Sequence, residues 1–193
     1  MLVLLLMAAG SGFAQDEAPA APPELEAAQA NADEAFEAER FDEAYEIYRE
    51  RLAPMGDKYA QYMIGLMHLR GLGVPEDRPL GAAWLELAAE RGDASLAAER
   101  DAVMARLDPE EREKQRSLFK KLQADFGDCA LVSRALAQDR NRLAPTTGTR
   151  VASNETPPVR VIYLDETENI SQMELRERIR KRQRFLREYC EYR

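Results

Sequence analysis

Several features that usually mark an enzyme are scarce or missing in this sequence. Its 193 residues include one histidine and two cysteines. It contains no nucleophile elbow, HExxH zinc motif, phosphate-binding loop, dinucleotide fingerprint or CxxC pair. The acid pairs at 42–43 and 110–111 lie in predicted first turns of helices, where the helix dipole accounts for them. The sequence therefore predicts a non-enzymatic protein with no catalytic residues, no metal and no cofactor.

Basic residues are too few for a protein that binds nucleic acid in general. The chain has 27 Lys and Arg against 35 Asp and Glu, a net charge of −8. Nucleic-acid binding requires a basic face, so we expect no nucleic-acid partner. The charge is also uneven. From Met173 onward there are eight basic and four acidic residues, whereas the preceding 172 residues have nineteen and thirty-one.

Residues 1–14 form an apolar run that is too short to span a bilayer. The run ends in Gly12, Phe13 and Ala14, a small-x-small cleavage pattern, and so predicts a secretory signal peptide. The basic residues that usually precede such a run are absent, which leaves a start further upstream or a buried N-terminal helix as alternatives. Residues 15–23 are rich in Ala, Pro and acids and predict a disordered linker.

Two short helical patterns flank a glycine-rich loop within residues 59–92. Apolar residues recur at helical spacing in both, and many are small, which allows two helices to approach closely. Gly71 and Gly73 can supply the positive φ that ends the first helix, while Pro79 suits the first turn of the second. The stretch therefore predicts a helical hairpin, and we expect the rest of the chain to be organised around it.

The hairpin belongs to a repeat, because a shift of 36 residues superimposes related positions. The matched pairs are Tyr48 and Trp84, Leu52 and Ala88, Gly56 and Gly92, and Asp57 and Asp93. A period of this length is typical of helical repeat proteins.

The residues of this unit resemble the Sel-one-like repeat (SLR), a relative of the tetratricopeptide repeat. The resemblance is carried by Ala60-Gln61-Tyr62, Leu66-Met67, Gly71-Leu72-Gly73-Val74, Ala83-Trp84 and Gly92-Asp93-Ala94. The glycines that define the repeat are Gly56, Gly65, Gly71, Gly73 and Gly92. His68 departs from the family, which usually has an aromatic residue there. The resemblance implies an all-α solenoid of α/α hairpins that serves protein–protein contact and has no active site.

The sequence divides into a repeat domain and a C-terminal arm. Residues 24–128 predict two to three SLR-like hairpins, with the segment after Asp108 as a capping helix. Residues 129–170 predict an irregular arm with a low-complexity loop, in which 159–164 is an extended segment rather than a sheet. A capping box at Ser171 then begins a basic helix over 171–193.

Five residues are candidates for a partner groove. They are Tyr48, Tyr59, Tyr62, His68 and Trp84. Aromatic residues carry much of the contact energy at protein interfaces. The alternative, which we favour, is that they pack between the helices, because large residues must stand opposite small ones in the core.

The two cysteines, Cys129 and Cys190, lie at opposite ends of the arm. An even number of cysteines in an exported chain predicts a disulfide, which would tether the basic helix to the repeat domain. Two buried, reduced cysteines are the alternative.

The expected function is a protein-interaction module of the bacterial periplasm with an unidentified protein partner. The compartment follows from the predicted signal peptide, the alanine-rich composition and the style of the repeat. The alternative function is an envelope hydrolase or the regulator of one, for which the sequence offers no nucleophile or base. Contact of the basic helix with a membrane surface is a third and weaker hypothesis, because its apolar stripe is narrow and its polar face also carries glutamates.

Overall fold

The computed structural model describes residues 23–143, 159–163 and 166–191, and the predicted signal peptide and most of the linker lie outside them. The elements are α1 (Pro23–Glu37), α2 (Phe41–Glu46), α3 (Lys58–Arg70), α4 (Arg78–Ala88), α5 (Ala94–Met104), α6 (Pro109–Phe126), α7 (Asp128–Leu143), β1 (Val159–Tyr163), β2 (Glu166–Ile170) and α8 (Gln172–Phe185). Tighter or wider helical turns extend α2 through Ile47–Leu52 and Ala53–Met55, α4 through Ala89–Arg91, and α8 through Leu186–Cys190.

The predicted hairpin consists of α3 and α4, which pack against each other. The Asp57 side chain accepts a hydrogen bond from the Ala60 amide at the start of α3, and Gly71 ends that helix with a φ of 64°. The two helices meet at a pair of glycines: a Cβ on Gly65 would lie 3.0 Å from the Gly81 carbonyl oxygen, and one on Gly81 would lie 2.8 Å from the Gly65 carbonyl oxygen. The small residues read from the sequence therefore permit the close approach, as predicted.

The 36-residue period is present in the backbone. Gly56 and Gly92 both adopt left-handed conformations, with φ of 79° and 83°. The residue after each glycine caps the next helix. Asp57 accepts a hydrogen bond from a backbone amide in the first turn of α3, and Asp93 accepts hydrogen bonds from amides in the first turn of α5. The repeat is thus a turn of fixed geometry followed by a capped helix.

The main core lies between α1, α2, α3, α4 and α6. Its largest fully buried side chains include Tyr48, Leu52, Ile64 and Met67. Helix α6 begins with the predicted cap at Asp108 and lays Leu122 against this core, so it closes the repeat domain as expected of a capping helix. Helix α5 differs from the others in this region because none of its residues is buried. Among the described residues, no helix is both long and apolar enough to cross a bilayer.

The arm is more regular than the sequence suggested. Helix α7 runs through its first part, and Leu136 forms a small second core with Leu175 and Ile179 of α8. The extended segment at 159–164 was expected to stand alone, but residues 159–163 pair antiparallel with 166–170, with Val159 opposite Ile170. The second strand escaped prediction because Glu-Thr-Glu-Asn-Ile lacks an apolar alternation.

The predicted disulfide joins the start of α7 to the end of the turn that follows α8. The sulfur atoms of Cys129 and Cys190 are 2.08 Å apart, and their Cα atoms are 5.9 Å apart. The bridge closes a sequence separation of 61 residues. It tethers the basic helix beside the repeat domain, as the even cysteine count predicted.

Gly73 and Gly92 offer a matched test of the turn geometry. Both have positive φ, but a Cβ on Gly73 would lie 2.5 Å from the Phe41 carbonyl carbon, whereas one on Gly92 would meet nothing within 4 Å. Gly92→Ala should therefore cost about 1 kcal/mol of unfolding free energy from backbone strain alone. Gly73→Ala should cost roughly 2–4 kcal/mol because the start of α2 must also move. Chemical denaturation measures both, and equal losses would contradict the close approach of Gly73 to α2.

Candidate interaction surface

The first two candidate residues form a pair with Asp33 of α1. Tyr48 is fully buried and its hydroxyl donates to the Asp33 carboxylate at 2.5 Å. The Tyr59 ring stands edge-on to Tyr48, with 6.2 Å between the ring centres. Burial and the neighbouring carboxylate raise the pKa of Tyr48 well above its ordinary value, so this hydroxyl remains a hydrogen-bond donor. The pair fixes the end of α2 against α1 and α3.

Tyr59 is the exposed member of the pair. Its side chain is 42% exposed, and Met55, four residues earlier across the Gly56 turn, is 39% exposed. These two, with Met173 and Tyr189 of the arm, are the large apolar side chains that the described part of the chain leaves exposed. Tyr62, one turn further along α3, is half-buried against the core. We call Met55 and Tyr59 the turn patch.

His68 packs against Tyr45 inside the domain. It is only 7% exposed, its ring is edge-on to Tyr45 at 5.5 Å, and its Nε2 lies 3.2 Å from the Tyr45 hydroxyl. Burial lowers the pKa of His68 below its ordinary value, so the ring is neutral at pH 7. Its contact with Tyr45 is the edge-to-face packing that an aromatic residue would make at this repeat position.

Trp84 is covered by the end of α6 and by an arginine. It is 2% exposed, and its ring centre is 5.2 Å from that of Phe126. The Arg49 guanidinium carbon lies 4.5 Å from the Phe126 ring centre and 5.6 Å from that of Trp84. An arginine held above two rings supplies cation–π attraction and shields the aromatic pair from water. The structure thus places Tyr48, His68 and Trp84 inside the domain and leaves Tyr59 accessible.

The turn patch adjoins a strongly acidic part of the molecule. Residues 23–52, which hold α1, α2 and the turn after α2, include ten acidic and three basic residues. Most of these carboxylates are exposed. Burial raises the pKa of Tyr59 above its ordinary value, and the neighbouring Asp33 carboxylate raises it further. The acidic residues of α1 and α2 are complementary in charge to a basic partner segment, and the turn patch adds an apolar contact.

A partly buried ion cluster connects the repeat to the arm. The Lys58 ammonium lies 2.5 Å from Glu90 and 3.2 Å from Asp128, and all three side chains are less than one-fifth exposed. Arg91 donates twice to Asp128, each time at 2.8 Å, and also to the Gly56 carbonyl at 3.1 Å. The cluster therefore connects both repeat turns to the first residue of α7.

Sequence reasoning did not identify the residues that contact these candidates. Asp33 lies 15 positions from Tyr48, and Arg49 and Phe126 lie 35 and 42 positions from Trp84. From the sequence alone, a carboxylate or an arginine in a helix is predicted to be solvent-exposed, because the helix that packs against it is not known. The 36-residue period could have shown that α2 packs beside α3, but it carries no information about α6.

Among the described residues, no group of three or more His, Cys, Asp or Glu side chains is arranged to hold a metal ion.

The ion cluster predicts how stability depends on pH. Burial alone would raise the pKa of Asp128, but the hydrogen bonds from Arg91 and the charge of Lys58 outweigh it, and the pKa lies below its ordinary value. A carboxyl whose pKa is lower in the folded state stabilises the fold above its unfolded pKa, and this stabilisation disappears as the pH falls through the folded pKa.

Asp128→Asn should therefore cost roughly 2 kcal/mol at pH 7, and its deficit relative to wild type should shrink below about pH 4. Asp125→Asn is the matched control, since it removes the same charge from an exposed side chain three residues away. Denaturation at several pH values checks this. An equal loss in both variants, or a deficit that does not change with pH, would show that the cluster does not couple α7 to the repeat.

Comparison with known proteins identifies a family match over the α3–α4 hairpin. Residues 58–93 match the family model of the Sel1 repeat. The comparisons find no match to a curated protein or to a solved structure. The matched residues begin with Lys58 and end at Asp93, so they cover α3, the glycine loop, α4 and the second repeat turn. This stretch of the chain is a Sel1 repeat.

Proposed function

We propose that this protein is a non-enzymatic interaction module that binds a partner protein through the turn patch. Sel1 repeats are protein-interaction modules, and the chain carries one as the centre of its main core. The observation that carries the proposal is the exposure of Tyr59 beside Met55, at a turn that the fold holds rigidly.

The rigidity of the turn favours binding. Gly56 is fixed by its left-handed conformation and by the hydrogen bond from Arg91 to its carbonyl. Tyr59 is held by the Tyr48 ring, and Tyr48 is in turn held by Asp33. An exposed tyrosine that is already ordered loses little side-chain entropy when a partner covers it. Tyrosine is also among the residues enriched at binding hot spots.

The chemistry of the surrounding surface indicates the kind of partner. The acidic residues of α1 and α2 would repel an acidic protein and attract a basic one. We therefore expect a partner segment with lysine or arginine residues and at least one apolar side chain that covers Tyr59.

The proposal also places the protein in the bacterial periplasm. The predicted signal peptide at 1–14 motivates this location, and a disulfide such as Cys129–Cys190 is typical of oxidising compartments. N-terminal sequencing of exported protein tests the location, with Gln15 as the expected first residue. Recovery of soluble protein that retains Met1 or Leu2 would contradict it.

Affinity capture from an envelope extract, followed by mass spectrometry and a binding measurement on the purified partner, tests the function. Tyr59→Ala should weaken binding of that partner by about tenfold or more, because truncation of a hot-spot aromatic costs more than 1 kcal/mol. Tyr189→Ala is the matched control, since Tyr189 is also exposed, at 61%, but lies beyond α8. Both variants should retain the helical circular dichroism of the wild type.

The control decides how the result is interpreted. Loss of binding with Tyr59→Ala and not with Tyr189→Ala supports the turn patch. Equal affinity for all three proteins would contradict the patch as the binding surface. A captured envelope hydrolase whose rate changes on binding would identify the module as a regulator, whereas hydrolysis by the purified chain alone would contradict the non-enzymatic proposal.

A further inference from the structure

Helix α8 uses one of its faces to attach to α7. Leu175 and Ile179 are buried against Leu136. Beside them, Arg178 donates to both oxygens of the buried Asp139 of α7, at 2.8 and 3.0 Å, and Arg182 also contacts this carboxylate. The apolar stripe of α8 and two of its arginines are therefore engaged within the protein.

The opposite face of α8 carries a line of four exposed arginines. They are Arg176, Arg180, Arg184 and Arg187. Their spacing of four, four and three residues places them on one face of the helix, over a length of about 17 Å. None of the four forms an ion pair with the chain at 23–143, 159–163 or 166–191. We call these residues the arginine line.

Two glutamates of α8 have partners outside this line. Glu177 pairs with Lys181 at 3.2 Å, on the neighbouring face of the helix. Glu174 is occupied by the capping box, where it accepts from the Ser171 amide and hydroxyl. The structure therefore gives Glu174 and Glu177 partners outside the arginine line, whereas Glu188 is exposed beside Arg187 in the turn that extends α8.

We propose that the arginine line docks this protein onto the headgroups of anionic lipids. A guanidinium binds a phosphate with two parallel hydrogen bonds, and a membrane surface with anionic lipids attracts each basic residue that approaches it. The line runs along a single helix rather than around a pocket, so it suits a surface that offers negative charge at every point. Met173, 77% exposed and three residues before Arg176, adds an apolar contact at the same face.

The charge distribution also sets the orientation of docking. The 172 residues before Met173 carry thirty-one acidic and nineteen basic side chains, and an anionic surface repels them. The attraction must therefore be local to α8, with the repeat domain directed away from the membrane. Charges more than about 8 Å apart are screened at physiological salt, so the acidic domain does not prevent the contact.

The proposed docking uses α8, whereas the proposed protein partner contacts Tyr59 of α3. The inference does not depend on the identity of that partner or on the compartment, because it can be tested with vesicles alone. The Tyr59→Ala variant should bind vesicles as the wild type does, so the two proposals can fail separately.

Co-sedimentation with vesicles of phosphatidylcholine, with and without phosphatidylglycerol, tests the proposal. The wild-type chain should bind only the vesicles that contain phosphatidylglycerol, and binding should be lost at about 0.5 M salt. The variant Arg176→Gln/Arg180→Gln/Arg184→Gln should bind these vesicles roughly 100-fold more weakly. Glutamine is a good helix former, so α8 should persist, which circular dichroism checks.

The matched control is Arg116→Gln/Lys120→Gln/Lys121→Gln, which changes the net charge equally at exposed positions of α6. It should bind like the wild type. Every variant has the same N-terminus, so any contribution of residues 1–14 cancels in the comparison.

Three results would overturn the proposal. One is the absence of wild-type binding to anionic vesicles at low salt. Another is an equal loss in both triple variants, which would show a dependence on net charge alone. The third is that the wild type does not bind vesicles and the α8 variant no longer binds a protein partner. This result would show that the arginine line binds an acidic protein.

Discussion

The contact between Gly65 and Gly81 is the constraint on which the rest of the fold depends. Because neither residue has a Cβ, α3 and α4 approach until each glycine lies against the carbonyl of the other. This distance decides which side chains fill the interior of the repeat. A wider spacing between α3 and α4 would leave cavities beside Trp84 and Ile64. The Phe126 ring and the Arg49 guanidinium cover Trp84 from another side and could not fill these cavities.

Electrostatic contacts then determine how the other parts join this hairpin. The cluster around Lys58 and Asp128 links the two repeat turns to α7, and Asp139 links α7 to α8. The disulfide adds a covalent link between the start of α7, beside this cluster, and the turn that follows α8. The acidic α1 and α2 and the basic α8 are thus held as separate surfaces with opposite charge, which is why two different kinds of partner can be proposed for one small chain.

The hairpin could be predicted from the sequence because its signals are local. Asp57 and Asp93 each cap the helix that follows, and Gly71 ends α3. The 36-residue period repeats the pair of glycine and capping aspartate, so a short stretch of sequence is enough to predict the hairpin. The disulfide followed from the even number of cysteines. The pairing of residues 159–163 with 166–170 did not follow, since the second strand has no apolar pattern.

The candidate site was predicted only in part. The sequence indicates five candidate residues, but their exposure depends on which helix covers them, and α6 comes from outside the repeat. Phe126 covers Trp84, and Tyr45 packs on His68, whereas nothing in the described structure removes Tyr59 from solvent. The arginine line could not be predicted from the sequence for a similar reason. Only the packing of α8 on α7 shows which arginines of α8 contact Asp139 and which face solvent.

Native-state hydrogen exchange tests most directly whether the glycine-paired hairpin is the organising centre. Amides of α3 and α4 should exchange most slowly and only through global unfolding. Amides of α5, which has no buried residue, should exchange much faster through local opening. If α5 were as protected as α3 and α4, or if α1 outlasted them, the hairpin would not be the element on which the fold depends.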